Sequence, residues 1–273
     1  MPDLGASPQA TAFAILDVET TGLQPEDRII EVAVVRLARL REVTRFETLV
    51  NPGIHIPLAA TAVCGIDDDL VSGAPEFPFV WPVLETLLSG AVLVAHNASF
   101  DLAFLSAERK RAGLPTWKGP VLDTLKLARN TCVLPSYSLH SLHESLALES
   151  APSHRALSDV LATAELLRTL LERLGDRART LGDLLAAQEP VPVTWEDFPE
   201  SVPQEVRDGI TQAALAGGAI GVRYETRTGV RTFRMIPKGL QRNGPLFYLC
   251  GVTASGEDQQ FILRMDRIRG VEG

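Results

Sequence analysis

An α/β fold is predicted for this 273-residue chain, with a mixed sheet flanked by helices and then a small, mainly β domain. Three observations carry the prediction. Three strand-like segments come first and strand and helix patterns then alternate, the order that builds a mixed sheet covered by helices. Prolines gather between residues 190 and 203. Beyond Gly217 the pattern changes to short strands separated by Gly- and Asn-bearing turns.

Residues 11–16 and 29–37 are apolar and rich in β-branched side chains, and 44–50 alternate before the turn signal Asn51-Pro52-Gly53. Residues 77–88 read as a helix, 91–95 as a short buried strand, and 100–111 carry apolar residues at helical spacing. A long helix is expected over about 155–174, with Leu161, Ala164, Leu167, Leu171 and Leu174 along one face. A short helix over 180–188 leads into the Pro-rich stretch, a semi-rigid linker or an extended strap. Strands are expected at 219–224, 232–236, 246–252 and 260–265. The domains are therefore set at 8–176 and 204–273, joined by a helical, Pro-rich linker over 177–203.

Cys64, Cys132 and Cys250 lie far apart and are odd in number, which suits reduced thiols in a cytoplasmic protein rather than a disulfide or metal framework. The first residues lack the basic and apolar blocks of a signal peptide. No apolar run reaches the roughly 18 residues of a membrane span, so no membrane partner is expected. The net charge of -8 is unevenly spread. Residues 1–175 carry 14 basic and 21 acidic side chains, 176–216 carry 3 and 8, and 217–273 carry 9 and 5. The acidic part is compatible with a carboxylate metal site, and the basic tail with a polyanion.

The chemistry is concentrated in a few segments. Asp17-Val18-Glu19 ends the first apolar run, and strand alternation puts both carboxylates on one face. Nothing basic lies near them in sequence, and a hard divalent cation would relieve their repulsion. His96-Asn97-Ala98-Ser99-Phe100-Asp101 follows the strand at 91–95, and His154-Arg155-Ala156-Leu157-Ser158-Asp159 opens the last long helix of the first domain. Asp17, Glu19, Asp101 and Asp159 bring a formal charge of -4, which two Mg²⁺ or Mn²⁺ ions about 3.5–4 Å apart would offset. One ion could activate a water and the other could offset charge on an oxygen leaving group. The imidazole of His154 is a candidate general base for that water. Read singly, Asp159 is a helix-start charge favoured by the macrodipole, and His96 and Asn97 are caps for a helix beginning near Ser99.

Taken together, Leu16-Asp17-Val18-Glu19-Thr20-Thr21-Gly22, the segment from His96 to Asp101, and His154-x4-Asp159 resemble the three motifs of the DEDDh 3′→5′ exonucleases, among them the epsilon proofreading subunit of bacterial DNA polymerase III. The resemblance runs from about residue 11 to 175. It implies an RNase H-like fold and release of single nucleotides from DNA 3′ ends, single-stranded ends above all, in proofreading or repair. Trimming of RNA or short oligonucleotides is the alternative within the family, and an idle binding module the alternative outside it. A polymerase or repair complex is a further implied partner. The resemblance also assigns Thr20, Thr21, Gly22, Leu23, Cys64, His96, Asn97 and Phe100 to the nucleotide pocket, Leu23 at the base-wedging position. Cys64 departs from the histidine that much of the proofreading subfamily carries before Gly-Ile.

Residues from about 205 resemble a WYL domain, a small Sm-like β-barrel, through Phe247-Tyr248-Leu249, the run Thr232 to Pro237, Gly244, Gly251 and Arg264 to Ile268. Phe261 stands where that family often has a basic residue. Arg234, Arg264 and Arg267 with Tyr224 and Tyr248 are expected to pair phosphates and stack bases on one barrel face. A protein-docking or structural role is the alternative.

Overall fold

The structure is a computed structural model that describes every residue except 25, 116, 190, 227, 244, 245, 255–259 and 273, with residues 191 and 192 described by their backbone alone. Its strands begin where the apolar runs do. β1 (Phe13–Thr20) pairs antiparallel with β2 (Ile29–Ala38), which pairs antiparallel with β3 (Arg41–Leu49). Helices α1 (Leu58–Cys64), α2 (Asp68–Val71) and α3 (Phe77–Leu88) precede β4 (Val92–Ala95). Then come α4 (Ala98–Arg111), β5 (Val121–Asp123), α5 (Thr124–Thr131), α6 (Leu139–Leu146), α7 (Ala156–Leu174) and α8 (Leu181–Ala187). The sheet order is β3-β2-β1-β4-β5, with β4 parallel to both β1 and β5. This is the mixed sheet that the order of elements predicted.

Strand alternation splits the core into two layers. Phe13 and Ile15 of β1, with Ala33 and Val35 of β2, pack under α7 through Val160, Leu167 and Leu170. Ala14, Leu16 and Val18 face the other way, toward Phe77, Trp81 and Leu84 of α3 and Phe104 of α4. β1 runs four residues past the expected apolar stretch, because its ladder with β2 continues to Thr20. Asp17 and Glu19 are therefore inside the strand, on the α7 side. The register sets Asp17 opposite Ala33 and Glu19 opposite Glu31. The carboxyl ends of β1 and β4 and the starts of α4 and α7 meet at one edge, where open α/β sheets present their ligand sites.

The chain divides into two compact units, 1–188 and 189–273. The stretch 177–203 is thus not one connector. Leu181 and Leu184 of α8 are fully buried in the first unit's core, an apolar pair at i,i+3. β6 (Val191–Val193) instead pairs with the second unit's sheet. That unit continues with α9 (Gln204–Ala216), β7 (Ile220–Thr226), β8 (Gly229–Asn243), β9 (Leu246–Thr253), β10 (Gln260–Arg264) and β11 (Ile268–Glu272).

Helix α9 and strand β11 went unread in the sequence. Val206, Ile210 and Ala213 at helical spacing were the available signal for α9, together with Gly217 at φ +62, a left-handed helix end that suits glycine. The sheet is antiparallel in the order β10-β9-β8-β7-β11, with β6 on β8. Among the described residues no ladder joins β10 to β11, so the sheet is open and not the expected Sm-like barrel. Closure depends on an edge pairing that strand patterns do not encode.

Strand alternation separates the two tyrosines among the five residues expected on one face, although Arg264 interacts with both. Tyr224 shares the face of the buried Ile220 and Val222 and meets Phe233 edge-on at 5.9 Å. Tyr248 lies opposite Arg264 and alternates with the buried Leu249, which puts both on the other face. Arg264 is paired with Asp266 at 2.7 Å, while Arg234 and Arg267 are exposed. Gly244, part of the WYL-like pattern, lies outside the described residues. No helix among the described residues is long and apolar enough to cross a membrane.

Candidate active site

Three carboxylates converge from two elements. Oxygens of Asp17 and Glu19 on β1 and of Asp159 in the first turn of α7 all lie within 4.8 Å of one another. Asp101, in the first turn of α4, approaches from the other side of the strand. Its Oδ1 accepts the Val18 amide at 3.2 Å, and it is 2 % exposed. The four acids predicted from sequence are thus brought to one edge of the sheet.

Their electrostatics record the crowding. Burial, and then the charges of Asp101, Asp159, Glu19 and Glu31, push the Asp17 carboxyl well above its ordinary value. Burial followed by Asp159 and Glu31 raises Glu19 to about 7, with Arg155 pulling the other way. Asp101 is raised to about 8, chiefly by burial, against the amide hydrogen bonds it accepts. Packed carboxylates hold protons unless a cation replaces them.

A fifth acid, Glu31, went unnoticed in the sequence because it reads as one more residue of a strand. It is 3 % exposed and stands beside Glu19, yet the chain compensates it. Arg155 Nη2 reaches Oε1 at 2.5 Å, its Nε reaches both oxygens at 3.1 Å, and the Ala156 amide donates to Oε2 at 2.9 Å. Asp159 keeps its position through Oδ1, which accepts from the Ser153 amide at 2.9 Å and the Ser158 hydroxyl at 3.0 Å. His154 is exposed, with a left-handed backbone at φ +55.

The family model described as "Exonuclease" matches residues 14–167. The chain belongs to the exonuclease family. It is 42% identical over 164 residues to the DNA polymerase III PolC-type protein of Caldanaerobacter subterraneus subsp. tengcongensis, covering 59% of this chain and 12% of that one. It is 41% identical over 177 residues to a DNA polymerase III subunit epsilon-like protein of Rhodobacter capsulatus, covering 62% and 25%. The chain therefore spans between an eighth and a quarter of the length of these relatives. Among solved structures, exonuclease X in complex with 5′ overhanging duplex DNA matches at 31% identity and a TM-score of 0.53, over 63% of this chain and 99% of that one.

The other residues read into the exonuclease site divide by position. Leu23, 78 % exposed, and Phe100 line one apolar cavity of about 200 Å³ with Gln24, Ala103, Phe104 and Ala107. Phe100 leans on Phe104 at 4.9 Å between ring centroids. Thr20, Thr21 and Gly22 build the turn that presents Leu23. Thr20 Oγ1 donates to the Gly22 carbonyl at 2.6 Å, and Thr21 Oγ1 donates to Asp27 at 3.0 Å. A Cβ on Gly22 would collide with the Asp27 carboxylate, which the Gln24 amide also holds.

His96 and Cys64 turn inward instead. Both imidazole nitrogens of His96 are engaged at 3.0 Å, by the Thr124 hydroxyl and the Tyr137 carbonyl. Burial holds that ring below its usual basicity. The Cys64 thiol donates to the Ala60 carbonyl at 3.4 Å among Ile30, Ile56 and Ile66, and burial raises it. The Asn97 side chain makes no cap bond, but its backbone is left-handed, which asparagine tolerates. Its amide donates to Asp123, whose carboxylate also caps α5. Asp123, whose stretch Leu122-Asp123-Thr124 belongs to the exonuclease resemblance, and Gln188, which accepts the Asp123 amide at 2.7 Å, take supporting roles that the sequence does not reveal.

Proposed function

We propose that the first unit is a divalent-metal-dependent 3′→5′ exonuclease that releases nucleoside monophosphates from DNA 3′ ends, in proofreading or repair. One observation carries the reading: four acids from three separate segments meet at a sheet edge, and Arg155 pairs with Glu31 beside them while no salt bridge among the described residues reaches the four. The donor set is entirely carboxylate oxygen, which suits Mg²⁺ or Mn²⁺ and not a thiophilic metal. Asp17, Glu19, Asp101 and Asp159 would hold two such ions, which when bound supply Lewis-acid activation of water and charge neutralisation at the phosphate.

The remaining roles fall to the chain's own groups. His154 takes the proton of the attacking water. Leu23 and Phe100 grip the terminal base on an apolar surface, where stacking contributes about 1–3 kcal/mol per base. A preference for DNA is supported by the likeness to exonuclease X and to the polymerase III proteins. The second unit is read as a WYL-like accessory part that binds the polyanion through its exposed Arg234 and Arg267.

End-labelled single- and double-stranded DNA and RNA, incubated with Mg²⁺, Mn²⁺ or EDTA, test the proposal. Stepwise shortening of single-stranded DNA from the 3′ end, abolished by EDTA, is the expected result. Faster loss of RNA would favour the exoribonuclease reading, and no metal-dependent shortening would end the nuclease reading. In a binding titration of single-stranded DNA at 50–200 mM salt, Arg234→Ala with Arg267→Ala should lower the slope of log K against log salt by about 1.4 if each contacts a phosphate. An unchanged slope removes the accessory role.

A further inference from the structure

His154 sits between two anchored neighbours. On one side the Ser153 amide is tied to Asp159 Oδ1 at 2.9 Å. On the other, Arg155 is extended at φ -132 and ψ 130 and clamped to Glu31 through contacts of 2.5–3.1 Å. Ala156, the first residue of α7, gives its amide to the same carboxylate at 2.9 Å. His154 alone between these anchors takes the left-handed conformation, φ +55, which a side chain with a Cβ disfavours. Strain of this kind persists only where its surroundings over-determine it.

Glu31 has every feature of a site acid except availability. It lies across the ladder from Glu19 and is 3 % exposed, yet both its oxygens are occupied by Arg155 and the helix start. Both anchors of the His154 segment therefore end on acids of the β1–β2–α7 cluster. The geometry fits a brace for the imidazole better than a fifth ligand.

We propose that Glu31 and Arg155 are a positioning pair that fixes the backbone of His154, and through it the point at which the imidazole accepts a proton. The inference rests on the exonuclease reading above. A brace acts through the residue it holds, so its removal should matter only while His154 is present. Misplacing a reacting group by about 1 Å costs on the order of 10²-fold in rate.

The test is a double-mutant cycle in the full chain with single-stranded DNA and Mn²⁺. Arg155→Met is expected to lower kcat on the order of 10²-fold with KM unchanged; because Arg155 also acts on Glu19, the Mn²⁺ dissociation constant is expected to be unchanged in the charge-balanced double variant below. In a His154→Ala background the same change should cost nothing further. The double variant Glu31→Gln with Arg155→Met removes both charges but keeps an acceptor for the Ala156 amide. It should match Arg155→Met in kcat, which guards against a folding defect from an unpaired Glu31. In the metal-free protein, the single His154 ring resonance should broaden or split in Arg155→Met. Equal losses in both backgrounds, a Mn²⁺ affinity that falls with kcat in the double variant, or an unaltered His154 resonance would overturn the proposal. If the wild-type chain shortens no 3′ end at all, the exonuclease reading fails instead, and the resonance still reports on the brace.

Discussion

Asp17→Asn abolishes metal-dependent shortening of DNA 3′ ends and leaves the fold intact. The side chain is nearly isosteric, and in a site already crowded with like charge its loss relieves repulsion, since Asp101, Asp159, Glu19 and Glu31 all press on Asp17. What disappears is a shared oxygen donor at the centre of the cluster. Charge stabilisation by bound metal amounts to several kcal/mol, and each 1.36 kcal/mol is tenfold in rate. A loss on the order of 10³-fold or more in kcat is expected, with far-UV circular dichroism unchanged. Activity within tenfold of wild type would count against the entire assignment of the site.

The second large effect is on stability and runs opposite to the usual behaviour of carboxylates. Asp17, Glu19 and Asp101 are raised in the folded protein, the last two to about 7 and about 8. Between roughly pH 4 and pH 8 the folded metal-free chain therefore keeps protons that the unfolded chain has released. Stability from these groups falls as pH rises through that window, because the folded state binds the more protons. Asp101→Asn stays neutral and keeps the oxygen that accepts the Val18 amide. Without metal it should exceed wild type at pH 8 by at least about 1 kcal/mol, a Tm gain of about 2–4 °C for a unit of this size, with a smaller gain at pH 5. Mn²⁺ replaces the retained protons, so its stabilisation of wild type should grow with pH and be smaller in the variant, which keeps Asp17, Glu19 and Asp159. A wild-type Tm that climbs from pH 5 to pH 8 in EDTA while the Asp101→Asn difference stays flat would contradict this.

Much of the first unit was legible because its elements carry their signals locally. The helix at 77–88 coincides with α3. The apolar stripe of 155–174 became α7, with Leu167, Leu171 and Leu174 buried as expected and Leu161 only partly so. The four acids were readable as a set, since each lies close to the boundary of a segment patterned as strand or helix. Glu31, Asp123 and Gln188 were not. Each looks like an ordinary strand, turn or helix-end residue, and its role exists only through partners 124, 26 and 65 positions away.

The partners of His96 were hidden for the related reason that motif position does not fix side-chain direction. Its ring is drawn inward by Thr124 and the Tyr137 carbonyl, neither recognisable as a partner in the sequence. In the second unit, weaker periodicity hid α9, and residue type alone did not separate the faces on which Tyr224 and Tyr248 stand. Local pattern specifies elements, whereas edge pairing and side-chain direction are tertiary outcomes.

The most direct test of the four-acid site is a crystal of the full chain grown with Mn²⁺ and measured at a wavelength where manganese scatters anomalously. Two anomalous peaks about 3.5–4 Å apart, each ligated by oxygens drawn from Asp17, Glu19, Asp101 and Asp159, are the result this account predicts. Manganese bound elsewhere, or a protein that still shortens DNA while one of the four acids points away from the metal, would contradict it.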